Sequence, residues 1–110
     1  MSDVQTFIDE TVKEHPVVLF MKGTAQMPQC GFSARAVQIL RAVGLKEVVT
    51  INVLDDDGVR EGIKVYSDWP TIPQLYIKSD FVGGSDIMAE MFESGELEKL
   101  LRDEKVLSDD

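Results

Sequence analysis

Residues 17 to 21, "VVLFM", form the longest apolar run in the chain. Crossing a bilayer takes about 20 apolar residues, so the run is far too short to span one. As a strand it has no polar face to turn toward water, so it is buried on both sides. Such a strand has to sit inside a sheet that is covered above and below.

The flanking segments supply that cover. Val4, Phe7, Ile8 and Val12 recur at helical spacing, Ser2 with Gln5 forms a capping-box start, and Pro16 ends the helix. A loop over 22–29 leads to a second helix carrying Val37, Leu40 and Val43, stopped by Gly44. "VVTINV" at 48–53 is a second strand, and Val59, Ile63 and Tyr66 mark a third helix that Trp69 and Pro70 break. "PQLYI" at 73–77 and "FVG" at 81–83 form a hairpin around Ser79 and Asp80. Ser85 caps a fourth helix carrying Ile87, Met88, Met91 and Phe92, and Leu97, Leu100 and Leu101 follow Gly95 as a last turn or short helix. The order is α-β-α-β-α-β-β-α. A crossover helix makes the first two strands parallel, and the hairpin adds two antiparallel ones. The expected fold is α/β, a four-stranded mixed sheet with helices on both faces. One domain spans 1–102, with 103–110 as a frayed helix end and acidic tail.

The chain has 110 residues and a hydrophobic content of 44%, which suits one globular domain rather than a disordered segment. Its net charge of -9 repels phosphate backbones, so nucleic acid is not an expected partner. Nor is a membrane expected, and Asp3, Asp9 and Glu10 do not fit a targeting peptide. One cysteine cannot form an internal disulfide, so a reducing compartment fits best.

That cysteine, Cys30, falls where the first strand's loop meets the second helix. Helix starts present free N–H groups and the positive end of the dipole, which stabilise a thiolate. Lys22 adds positive charge and Gly31 leaves the sulfur open. The plain alternative is a buried cysteine acting as a small hydrophobe.

"CGFS" at 30–33 after "KGT", with "WPTIPQLYI" at 69–77 and "FVGGSDI" at 81–87, resembles a monothiol glutaredoxin, in the right order and over nearly the whole chain, from about Val17 to Leu101. The resemblance implies a thioredoxin-like fold. Dithiol relatives carry a second cysteine where Ser33 stands, so the intramolecular dithiol cycle is unavailable to this chain. A [2Fe-2S] cluster usually takes four thiolates and this chain has one. The resemblance implies a homodimer bridging one cluster with two Cys30 thiolates and two glutathione thiolates, making Cys30 both the reactive residue and the metal ligand.

For glutathione, the resemblance assigns Lys22 and Arg60 to the glycine carboxylate. It implies a cis bond before Pro73, which presents the Ile72 backbone to the peptide. Gly84 permits close approach, the Ser85 N–H takes the γ-glutamyl carboxylate, and Asp86 takes the amine. The plain readings are solvated charges at Lys22 and Arg60, a trans proline opening an edge strand, and an ordinary strand-to-helix turn.

Other features have simpler accounts. Asp55, Asp56 and Asp57 with Gly58 suggest calcium, but Val53 and Lys64 stand where ligands would be needed, so a helix-start acidic cluster fits better. His15 has no metal-ligand companions, Met88 and Met91 fill the core, and Trp69 packs beside the glutathione groove. Three functions are weighed: an iron–sulfur carrier serving apo recipient proteins, a glutathione-dependent oxidoreductase with a monothiol cycle, and an adaptor pairing with a BolA-like protein. The first is favoured and the third is compatible with it. The location expected is a bacterial-type cytoplasm, or a mitochondrial matrix after processing.

Overall fold

In the computed structural model, residues 2–107 are described. Five helices and four strands follow the expected order: α1 Asp3–Glu14, β1 Val17–Met21, α2 Gly31–Ala42, β2 Val49–Asn52, α3 Asp57–Ser67, β3 Gln74–Ile77, β4 Asp80–Gly83, α4 Ser85–Ser94 and α5 Glu96–Asp103. The sheet order is β2-β1-β3-β4. β1 runs parallel to β2 and antiparallel to β3, and β3 pairs antiparallel with β4.

β1 holds an inner position and all five of its residues are buried. Its side chains alternate between two cores, as a period of two requires. Val17, Leu19 and Met21 join Val37, Leu40, Met88, Leu97 and Leu101 on the face covered by α2, α4 and α5. Val18 and Phe20 join Ile8, Val12, Val59 and Ile63 on the face covered by α1 and α3. This is the four-stranded mixed sheet with helices on both faces read from the sequence.

Several local expectations need correction. The capping box at α1 is half formed: the Gln5 N–H donates to Ser2 Oγ at 3.1 Å, but the Gln5 side chain donates to the Gly62 carbonyl at 2.8 Å. A carbonyl on the neighbouring helix α3 takes the amide that would have returned to Ser2. Residue 53 opens a short 3-10 turn, Val53–Asp55, instead of extending β2. The hairpin turns on Lys78 and Ser79, both left-handed with φ of 50° and 69°, while Asp80 already pairs with Ile77 in β4. The N-cap of α4 is Gly84, and Ser85 is the first helical residue with its side chain buried. Gly95 at φ 86° ends α4 and starts α5, a left-handed hinge suited to glycine. α5 ends at Asp103, and beyond it Val106 and Leu107 pack, partly buried, against the core; residues 108–110 of the expected tail lie outside the described residues.

α1 and α3 meet at Gly62. A methyl group there would run into Val4 Cγ1 and come within 3.3 Å of Ile8 Cδ1. Alanine is the better helix former by about 1 kcal/mol, but overpacking costs about 1–3 kcal/mol. We expect Gly62→Ala to lower stability in chemical denaturation; an unchanged or raised midpoint would show that the two helices separate freely.

Candidate functional site

The site is built at one end of the sheet, starting from β1. Beyond Met21 the chain leaves as an ordered loop rather than an open one. The Gly23 N–H donates to Asn52 Oδ1 at 2.9 Å, and the Gln29 N–H returns to the Lys22 carbonyl at 2.9 Å. This closure brings Cys30 back beside the end of β1. Cys30 is the N-cap of α2, extended at φ -154°, half-buried and with a free thiol. It is therefore not the fully buried small hydrophobe of the plain reading.

Burial pushes the Cys30 thiol up, but other contacts outweigh it. The Ser33 N–H, the Phe32 N–H, the Ser33 hydroxyl and the charge of Lys22 hold it, on balance, below the ordinary cysteine value. Ser33 is itself fully buried, and its Oγ accepts from the Lys22 N–H at 3.0 Å. One hydroxyl thus locks the end of β1 to the first turn of α2 and also faces the sulfur. Sequence reasoning treated Ser33 only as a missing second cysteine. The available signal was a polar residue on the apolar stripe that continues through Val37 and Leu40.

Next to this turn lies a groove of about 170 Å³. The sequence-predicted residues Ile72, Pro73, Gly84, Ser85 and Asp86 line it together, and Phe32, Trp69, Thr71 and Ile87 complete the wall. Phe32, on the first turn of the helix that Cys30 caps, joins α2 to this wall. The Ile72–Pro73 bond is cis. Gly84 needs the absence of a side chain: a Cβ there would stand 3.2 Å from the Pro73 carbonyl oxygen and 3.9 Å from Trp69 Nε1, inside the groove. The start of α4 leaves the N–H groups of Ser85 and Asp86 without intrahelical acceptors. Asp86 is exposed, and its carboxylate lies 3.8 Å from the Arg35 guanidinium.

Lys22 and Arg60 do not line this groove. Lys22 is half-buried just past β1 and acts on the Cys30 sulfur through its charge. Arg60 is half-buried on the first turn of α3, where its N–H bonds the Asp56 carbonyl at 3.0 Å. Asp56 caps that helix, its Oδ1 accepting from the Gly58 and Val59 N–H groups, which accounts for the acidic cluster without an ion. Among the described residues no group of three or more His, Cys, Asp or Glu side chains could hold a metal.

A second unforeseen residue supports the groove. Gln74 is fully buried; its Nε2 donates to the Trp69 and Thr71 carbonyls at 3.2 and 3.1 Å, and its Oε1 accepts from the Tyr76 hydroxyl at 3.2 Å. The segment carrying Trp69 and Thr71 is thereby pinned to β3. The sequence hint was one amide inside an otherwise apolar strand.

A thiolate-favouring cysteine at a helix start, beside a groove walled by a cis-proline and a second helix start, defines a thiol protein of thioredoxin-like fold. Residues 17–82 match the glutaredoxin family. The monothiol glutaredoxin-5, mitochondrial, of Schizosaccharomyces pombe is 57% identical over 103 residues, covering 92% of this chain and 70% of that protein. A probable monothiol glutaredoxin 2 of Rickettsia typhi is 54% identical, covering 92% and 90%. A solution structure of a monomeric truncated mutant of Trypanosoma brucei 1-C-Grx1 superposes with a TM-score of 0.87 at 45% identity, covering 100% of this chain and 99% of that one. The chain belongs to the glutaredoxin family, among its monothiol members, a glutathione-linked group. Its relatives include mitochondrial and bacterial proteins, and none of the described helices is long and apolar enough to cross a membrane.

Removing the Ser33 hydroxyl takes away a bond that favours the thiolate, so the Cys30 pKa should rise in Ser33→Ala. The thiolate fraction at neutral pH then falls. The iodoacetamide alkylation profile should move to higher pH, with a smaller shift in the same direction for Lys22→Met. A profile unmoved in Ser33→Ala would show that the hydroxyl does not act on the sulfur.

Proposed function

We propose that this protein carries a [2Fe-2S] cluster between two copies of itself, each supplying Cys30 and one bound glutathione. The observation that carries the reading is the pairing of a half-exposed, thiolate-favouring Cys30 with a sealed Ser33. No second thiol exists to resolve a mixed disulfide, so the sulfur remains available to an external partner. Two Cys30 thiolates and two glutathione thiolates make up the four that such a cluster usually takes.

The groove supports glutathione as the companion thiol. Gly84 keeps its floor open, and the N–H groups of Ser85 and Asp86 suit a carboxylate. The Ile72 and Pro73 backbone suits a peptide, and the Asp86 carboxylate suits an ammonium. Lys22 and Arg60 have no ion-pair partner among the described residues, which leaves them available to the second carboxylate. The exposed side chains of Met27 and Phe32, 69% and 60% accessible, flank Cys30 and favour a facing protein surface. A second copy is the first such surface, a BolA-like protein is an alternative, and apo iron–sulfur proteins are the proposed recipients. Bacterial cytoplasm or mitochondrial matrix fits the cysteine chemistry and the relatives.

A glutathione-dependent oxidoreductase is the second reading, favoured by the same lowered thiol. In it the Cys30 thiolate attacks the sulfur of a glutathionylated substrate and free glutathione regenerates it. Negligible turnover in a glutathione-coupled disulfide assay would remove it.

Anaerobic reconstitution with iron, sulfide and glutathione should give the visible absorption of a [2Fe-2S] centre and a dimer mass, both lost when glutathione is omitted. A colourless monomer would sink the carrier reading. Cys30→Ala should stay colourless and monomeric while its stability changes by less than about 1 kcal/mol, because the residue is half-exposed.

A further inference from the structure

We propose that Arg35 determines the ligand specificity of the groove, by holding the α-carboxylate of a γ-glutamyl thiol beside Asp86. The inference rests on the glutathione reading above and adds to it a residue that selects the ligand's charged end.

Arg35 stands on α2, the helix that begins at Cys30, and its Nη1 lies 3.8 Å from Asp86 Oδ1 on α4. The pair differs in kind from Lys13–Asp9, Lys64–Glu61, Lys99–Asp103 and Arg102–Glu98, each of which lies within a single helix. Arg35 reaches across the seam between α2 and α4, where it borders a cleft with Ala89 and Phe92, while Asp86 belongs to the groove wall. Among the described residues, Asp86 is the one carboxylate within ion-pair range of Arg35.

At 3.8 Å the two groups attract but do not hydrogen-bond. Both are well exposed, at 50% and 86% of their side chains. The donors of the guanidinium fork and the carboxylate oxygens therefore stay open to a ligand. A group carrying an ammonium and a carboxylate on one carbon matches this arrangement. Its ammonium faces Asp86, and its carboxylate meets Arg35 and the free N–H groups at the start of α4. The Asp86 carboxylate accepts any primary amine, and the α4 N–H groups add a first, uncharged preference for a neighbouring carboxylate. With Arg35 beside it, the site rewards the adjacent carboxylate, which the γ-glutamyl end of glutathione has.

The competing account is that the pair simply ties α2 to α4. An exposed pair at this distance contributes little to stability, so that role would show in thermal stability and not in ligand choice.

Cys30 is the sole thiol, so one exchange step reports occupancy. Its thiolate attacks one sulfur of a symmetrical disulfide and forms a new S–S bond to it. The old S–S bond breaks and the other half leaves as a thiolate; Cys30 is oxidised and the leaving sulfur reduced. The probes are glutathione disulfide and the disulfide of an analogue with γ-aminobutyrate in place of γ-glutamate, which keeps the amine and lacks the carboxylate. Adduct equilibria are read by intact mass in buffers of each thiol and its disulfide. Wild type should prefer glutathione. Arg35→Ala should weaken the glutathione adduct about three- to fivefold, the scale of one exposed charge pair, and leave the analogue unchanged. The loss should shrink in high salt, and the Cys30 alkylation profile should not move. A loss shared equally by both thiols, or no loss, overturns the proposal. If wild type itself favours glutathione no more than 2-mercaptoethanol, the glutathione reading fails and takes this inference with it. A preference undiminished in Arg35→Ala sinks the inference alone.

Discussion

A strand with no polar face imposes most of this architecture. Val17–Met21 can stay out of water only if strands flank it and helices cover both sides, so β2 and β3 take its edges and two cores form above and below. Because the odd and even positions feed different cores, a one-residue slip would exchange them, and the register is tightly specified. That register sets where Met21 ends, and hence where the reactive turn begins.

The site is then a junction of element ends. The end of β1, the start of α2, the segment before β3 and the start of α4 converge there. Each brings backbone groups that regular structure leaves unpaired. Polar side chains hold the junction together: the buried Ser33 joins the end of β1 to α2, the half-buried Asn52 closes the intervening loop, and the buried Gln74 pins the Trp69–Thr71 segment. Unsatisfied, these groups would each cost about 1–3 kcal/mol, so pairing favours one arrangement over its neighbours. Ser33 serves both ends: its Oγ accepts from the Lys22 N–H to order the turn, while its own N–H and hydroxyl lower the thiol's proton affinity.

Charge acts against the background of a strongly acidic chain. Most basic side chains with partners lie in pairs along single helices, where they add a few tenths of a kcal/mol at the surface. Arg35 is paired across elements, and Lys22 and Arg60, like Arg41, Lys46, Lys78 and Lys105, have no ion-pair partner among the described residues.

Hydrophobic periodicity and the punctuation by Pro16, Gly44, Trp69–Pro70 and Gly95 made the element order legible from the sequence alone, because burial and backbone sterics act over a few residues. The lone cysteine at a loop–helix boundary was legible for the same reason, as were the groove positions 72, 73 and 84–86 through their resemblance to a known family. Boundaries slipped where a distant partner decided them: Gln5 bonds Gly62, Ser85 is buried one position inside its helix, and Val106 with Leu107 docks on a core built from segments far away in the chain. The roles of Ser33, Gln74 and Arg35 were likewise out of reach. Each depends on a partner that only tertiary packing brings near, and a sequence pattern carries spacing along the chain but not proximity across it.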